Sequence, residues 1–286
     1  MGRDCMTGIP EAGIKIIDLN GLTLAYRETG SGFPLILING FASPMDTWSP
    51  KVLEILSRYF HVIIFDNRGT GYSISSDMPF TMELFARDTI ALMDALGITR
   101  AHILGLSMGA SIAQELVLAH PERVDRLVLV AGTCGGGEAV PMLPETWKML
   151  TDKSGSLSDI AGRMFSLLFP GTWLTLHDPW KYCPAIHETT SETNAARQAD
   201  AFFSWTGSTD RLLWIRNPTL VISGTEDIVI PPENALILAK RIPGARHVRF
   251  KGAGHGLQYQ CPEMFAGAIQ EFLLPEPLGP PGVSGR

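Results

Sequence analysis

The chain of 286 residues has few cysteines and no pairing pattern among them: Cys5, Cys134, Cys183 and Cys261 stand far apart and form no C-x-x-C. That excludes a disulfide framework and a zinc-binding ribbon, and leaves the four to be read as free thiols. Positive charge is not in excess either. Lys and Arg total 23 against 29 Asp and Glu, and they are scattered, so the electrostatic footprint of a phosphate backbone is missing and no nucleic acid partner is expected. No apolar run reaches the roughly eighteen residues of a membrane span, and residues 1–13 lack the apolar stretch of a signal peptide. Met1-Gly2 resembles a myristoylation start, but Met6 stands where Ser or Thr is required. A cytoplasmic protein without a membrane partner is the expectation. There is no G-x-x-x-x-G-K-[ST] loop and no G-x-G-x-x-G after a strand, so no nucleotide cofactor is expected. His61, His102, His120, His177, His187 and His247 lack metal-ligand spacing, so no metal is expected.

The chain does have an ordinary globular balance, 45% hydrophobic and 18% charged, and length enough for a sizeable core. Ile14–Leu19 and Leu22–Glu28 are short β-rich runs around Asn20-Gly21, a dipeptide that favours a two-residue hairpin. From Leu35 the texture becomes that of strands buried on both faces: Leu35–Ile38, His61–Phe65, Ala101–Leu106 and Arg126–Ala131 are continuous apolar runs. Between them lie stretches of helical spacing. One runs from Met45 or Asp46 to Arg58, another from Phe80 to Leu96 with a stop at Gly97, and a third from Ala110 to Ala119. This alternation predicts a mostly parallel α/β sheet flanked by helices.

After Thr133 the pattern stops. To about Leu213 there are no buried-strand runs, but there are many aromatics, and helix-like pieces at Leu157–Leu168 and Asn194–Trp205 are separated by Pro170-Gly171 and Asp178-Pro179. The alternation resumes with Thr219–Ser223, Glu233–Arg241, Ala245–Phe250 and Glu263–Leu274. The expected organisation is therefore a core made of 1–133 and 214–275 with an inserted helical lid at 134–213. From Pro275 the chain is rich in Pro and Gly, and residues 276–286 are expected to be a disordered tail.

Gly105-Leu106-Ser107-Met108-Gly109 lies between a predicted strand and a predicted helix. A G-x-S-x-G at such a junction is a nucleophile elbow, whose glycines leave room for a turn that exposes the serine hydroxyl. A serine hydroxyl is a poor nucleophile at neutral pH; it needs a base to take its proton and a third group to hold that base in one tautomer. In a parallel sheet the C-terminal strand ends share one edge, so loops remote in sequence meet there. Asp227, in Ser223-Gly224-Thr225-Glu226-Asp227, and His255, in Gly252-Ala253-Gly254-His255-Gly256, each follow a predicted strand. Glu226 competes with Asp227 for the acid role. The loop Asp66–Ser73, D-x-R-G-x-G-x-S, reads as a turn in which Asp66 and Arg68 are structural.

Together these motifs resemble the α/β-hydrolase fold superfamily, in the branch of esterases, cofactor-free haloperoxidases (perhydrolases), enol-lactonases and carbon–carbon bond hydrolases. The resemblance covers nearly the whole chain apart from 134–213 and the tail. It implies an eight-stranded sheet, with Ser107 as nucleophile, His255 as general base and then acid, and Asp227 rather than Glu226 as the orienting carboxylate. It also implies an oxyanion hole of two main-chain N–H groups, Met108 and Phe41. The family's usual His-Gly-X is Asn39-Gly40-Phe41 here, a departure that leaves the N–H of Phe41 in place and puts in question what the histidine holds beneath the site.

The reaction expected on this basis is cleavage of a small or medium acyl ester, with an apolar acyl group, through an acyl-enzyme on Ser107. Arg163 and Arg197 are the cations of the lid that could meet a charged substrate singly. The same triad also suits perhydrolysis, enol-lactone opening or carbon–carbon cleavage. A different class, a ligand receptor on a hydrolase fold, would show slow turnover and tight retention.

Overall fold

A computed structural model of the chain describes residues 13–19, 21–75 and 78–274. Eight strands form one sheet: β1 (Lys15–Asp18), β2 (Thr23–Thr29), β3 (Phe33–Ile38), β4 (Phe60–Phe65), β5 (Ala101–Leu106), β6 (Val124–Val130), β7 (Thr219–Gly224) and β8 (Arg246–Phe250). Their order across the sheet is β1-β2-β4-β3-β5-β6-β7-β8. β1 and β2 pair antiparallel with each other and β2 with β4; every other pairing is parallel. The hairpin expected at Asn20-Gly21 is closed by Leu19 N–H donating to Leu22 O, 2.8 Å, with Asn20 itself outside the described residues.

The helices are α1 (Pro50–Leu56), α2 (Met82–Ala95), α3 (Met108–Ala119), α4 (Pro144–Thr151), α5 (Leu157–Leu168), α6 (Gly171–Leu174), α7 (Glu192–Ser204), α8 (Glu233–Arg241), α9 (Leu257–Gln260) and α10 (Pro262–Leu273). Period-two alternation splits the apolar strands between two layers. Ile36 and Ile38 of β3 face the cluster that also holds residues of α2, α3 and α8. Leu35 and Leu37 face the cluster filled by α1, α9 and α10. A sheet covered on both faces needs strands apolar throughout, which is why β3 to β7 read as unbroken runs.

One expected helix is divided. Instead of running from Met45 or Asp46 to Arg58, the chain makes a single 3₁₀ turn, Met45–Thr47, becomes extended at Trp48 and starts α1 at Pro50. Proline suits the first position of a helix and forces the residue before it out of helical geometry; Ser49 accordingly sits at ψ 120°. α2 begins at Met82, two residues later than expected, because Thr81 caps it, its Oγ1 accepting Leu84 N–H at 3.0 Å; it ends before Gly97, which has φ 68°, as expected. Between β6 and β7 the described residues contain α4 to α7 and no strand. The expected tail, 276–286, lies outside the described residues.

Candidate active site

β5 runs directly into Ser107, and α3 starts at the next residue. Ser107 has φ 58° and ψ −122°, a region that a residue with a Cβ rarely occupies and that costs on the order of 1–3 kcal/mol. The flanking glycines make the turn possible. A Cβ on Gly105 would lie 2.2 Å from Gly109 O, and one on Gly109 would lie 2.2 Å from Ile38 O, so strand, helix and the end of β3 touch backbone to backbone. Ser107 N–H donates to Val130 O and Ser107 O accepts from Ala110 N–H, both at 2.9 Å. The serine is thus presented by a rigid frame. Among the described residues its Oγ has no hydrogen-bond partner, His255 included.

The loops after β7 and β8 are tied together. Thr225 N–H donates to Phe250 O at 3.0 Å, Glu226 N–H to Ala253 O at 2.9 Å, and Gly252 N–H to Thr225 Oγ1 at 2.9 Å. This brings Asp227 Oδ2 within 2.8 Å of His255 Nδ1. The other carboxylate oxygen accepts the N–H groups of Val229 and Ile230, at 2.8 and 2.9 Å. The imidazole thus meets the carboxylate through Nδ1, which leaves Nε2 on the far side of the ring from Asp227. Asp227 is buried, whereas Glu226 points to solvent. The His255 loop also touches the helical segment: Gly256 N–H donates to Leu168 O of α5 at 2.7 Å.

On the other side of the serine lies the loop after β3. A Cβ on Gly40 would be 3.0 Å from Ser107 Cβ, so the Gly40–Phe41 stretch passes against the elbow. The N–H of Phe41 donates to no carbonyl among the described residues, and that of Met108, the first residue of α3, has no acceptor within the helix. Asn39 stands where the resemblance leads one to expect a histidine. Its Nδ2 donates to Pro44 O at 2.8 Å and Thr47 Oγ1 at 2.6 Å, and its Oδ1 accepts Gly40 N–H at 3.0 Å. The buried amide fastens both ends of the loop.

The Asp66–Ser73 loop is structural, as expected. Asp66 Oδ1 accepts Met45 N–H at 2.6 Å and Oδ2 accepts Tyr72 N–H at 2.9 Å, while Arg68 makes a buried two-pronged pair with Asp88. Burial pushes the Asp66 carboxyl up to about 6, against the pull of those two N–H groups.

What the motifs did not reveal is how the helical segment grips these loops. From α7, Gln198 Oε1 accepts Ala42 N–H and Gln198 Nε2 donates to Thr70 Oγ1, both at 2.8 Å; Asn194 Nδ2 donates to Gly69 O at 3.0 Å. Just before α7, Thr190 Oγ1 donates to Ala42 O at 3.1 Å. The one available signal was a glutamine on the same helical face as Ala201 and Trp205, where an apolar residue is the norm. Phe41 meets this segment through its ring, 5.3 Å from that of Trp147 in α4, which in turn stands edge-on to Phe203 at 4.7 Å. Arg163 donates to Asp152 O, and Arg197 lies 4.1 Å over the Phe80 ring. Among the described residues no three His, Cys, Asp or Glu side chains gather as a metal site, and no helix is long and apolar enough to cross a membrane. Cys134, Cys183 and Cys261 are free thiols.

Known proteins share this fold. The alpha/beta hydrolase family model matches residues 35–268. The chain is 30% identical over 263 residues to the provisionally named carbamate hydrolase RutD of Caulobacter sp. (strain K31), spanning 91% of this chain and 95% of the relative. It is 31% identical over 270 residues to the provisionally named non-heme bromoperoxidase BpoC of Mycobacterium tuberculosis (strain CDC 1551 / Oshkosh), spanning 88% and 98%. Among solved structures, the enol-lactonase from Burkholderia xenovorans LB400 superimposes with a TM-score of 0.78 at 26% identity, over 91% of this chain and 99% of the other.

Proposed function

Since the chain belongs to the alpha/beta hydrolase family, we propose that it is a serine hydrolase that cleaves a small or medium acyl ester through an acyl-enzyme on Ser107. The observation that carries the reading is the 2.8 Å contact between Asp227 and His255 Nδ1, made at the same sheet edge that presents Ser107 in a left-handed turn. In this reading His255 Nε2 takes the proton of Ser107 as Oγ attacks the acyl carbon. The developing oxyanion accepts from the N–H groups of Met108 and Phe41. The ester bond then breaks and His255 returns the proton to the leaving alcohol. Water, deprotonated by the same imidazole, releases the acid and restores the serine.

Residues 134–213 act as a lid in this proposal. An apolar acyl group is supported by the cluster beside the orienting acid, where Val229 and Ile230 pack with Leu167, Met142, Met149 and Phe202. A second reading keeps the acyl-enzyme and changes the acceptor to hydrogen peroxide, giving a peracid; it is favoured by the likeness to a protein named as a bromoperoxidase. The test is a panel of esters, lactones, carbamates and peracid formation, run beside Ser107→Ala. Hydrolysis that persists in the variant would overturn the assignment of Ser107.

A further inference from the structure

We infer that Gln198, in the helical segment, is a positioning residue for the oxyanion donor at Phe41, so that the seating of α7 completes the hole; the inference rests on the acyl-enzyme reading. Phe41 lies in a turn that only one long backbone bond closes, and the direction of its N–H depends on how the next peptide groups are held. Ala42, its neighbour, sits at φ 49°, a left-handed conformation that an alanine keeps only when its surroundings impose it. Its N–H donates to Gln198 and its carbonyl accepts from Thr190, both residues of the helical segment. The local part of the hold is a turn in which Ser43 N–H donates to Gly40 O at 3.4 Å and Ser43 Oγ to Phe41 O at 3.0 Å.

Gln198 does more than cap one N–H. Asn67 Nδ2 donates to Asn39 O at 3.1 Å, Thr70 N–H to Asn67 O at 2.9 Å, Gln198 Nε2 to Thr70 Oγ1, and Ala42 N–H to Gln198 Oε1. The chain from Ala42 back to Asn39 closes this ring around Phe41. One member has to accept at one end and donate at the other across the gap between two loops, which is what a side-chain amide does. Gln198 is fully buried, as is Thr70, so water has poor access to take its place. The first oxyanion donor, Met108, is built into the β5–α3 turn. The second is set from a helix far along the chain.

The experiment uses the whole chain and three variants of similar side-chain volume: Gln198→Met, Gln198→Glu and Thr190→Val. Active sites are titrated with a fluorophosphonate, so that every rate is per competent serine. For Gln198→Met, kcat on a p-nitrophenyl ester is expected to fall about 10- to 100-fold, less than the full loss of an oxyanion donor. KM should move less than about 3-fold, because the donor acts on the transition state. Binding of a trifluoromethyl ketone, whose adduct on Ser107 carries the oxyanion, should weaken in proportion to the fall in kcat/KM. Gln198→Glu should recover most of the loss, since its carboxylate still accepts from Ala42 N–H and the Thr70 hydroxyl can turn to donate. Thr190→Val should give a smaller fall in the same direction, and it carries the test should Gln198→Met not fold. A merely structural Gln198 would lower the number of titratable sites and leave kcat per site and ketone affinity as in the wild type; that result in either Gln198→Met or Thr190→Val overturns the inference. A wild-type chain that the fluorophosphonate does not label at Ser107 overturns the acyl-enzyme reading itself, and the inference with it.

Discussion

The β5–α3 turn and the seat of α7 hold the two sides of the same serine by opposite means. At the turn the defining residues are local, two glycines and one left-handed residue, packed backbone to backbone against the neighbouring strands β3 and β6. At the seat everything is distant, with Gln198, Asn194 and Thr190 reaching loops more than a hundred residues earlier. Local geometry of the first kind tolerates almost no substitution and announces itself as a motif. Polar seating of the second kind tolerates some loss and has no motif.

The largest effect expected is on the local side. Ser107→Ala should reduce kcat/KM for a p-nitrophenyl ester by at least about 10⁴-fold while thermal unfolding stays within a few degrees of wild type. A variant that unfolds instead would show the turn to need the hydroxyl for its own stability. Next, Asp227→Asn should cost about 10³-fold or more, because the imidazole loses the group that fixes its tautomer, while Glu226→Gln should change the rate less than about 3-fold. The reverse ranking would move the orienting role to Glu226.

A third effect lies in the core on which both regions stand. Burial holds Asp66 up to about 6 and His102 down to about 4. The folded state keeps a proton on Asp66 that the unfolded chain has lost, so this contribution makes stability fall as pH rises from about 4 to 6. His102, packed against Phe33 and Phe60, stays neutral while the unfolded chain protonates, so its contribution makes stability rise between about 4 and 6.5. Each is on the order of 3 kcal/mol and the two oppose. Urea unfolding of His102→Phe should therefore show stability falling from pH 4 to 6, and that of Asp66→Asn should show it rising. The smallest effect belongs to the distant side. Asn194→Ala removes the bond to Gly69 O and a longer one accepted from Arg197, and should cost about 1 kcal/mol in urea unfolding, with activity within about 3-fold of wild type. A large loss of activity there would make the whole α7 seat as sensitive as the turn.

The same contrast explains what could be read before any coordinates. β3 to β7 are legible because burial on both faces demands unbroken apolar runs; Ser107 and Asp227 stand out as candidates because each follows such a run, whereas His255 follows the charged edge strand β8 and stands out through its glycines. The joint between Thr47 and Pro50 was missed because the apolar spacing of Val52, Leu53 and Leu56 continues backwards through Trp48, although Pro50 marked the true start. Asn39 showed itself only as a departure from a familiar pattern. Its partners, Pro44 O and Thr47 Oγ1, become visible once the loop has a shape. Asn194 and Thr190 are illegible, and the partners of Gln198 with them, for a further reason: these side chains bind mostly main-chain atoms, and every residue type offers the same carbonyl and, proline apart, the same N–H.

The closeness of Gly40 to Ser107, with 3.0 Å between the serine Cβ and the Cβ that any other residue would bring, also says where new specificities could be selected. A side chain at Gly40 would press on the Ser107 Cβ and require it to give by a few tenths of an ångström, so substitutions there act directly on the proposed nucleophile. Phe203, which meets Trp147 edge-on and has no ring contact with Phe41, lies farther out, so a library directed there would test the proposed lid without touching the Gly40–Ser107 contact.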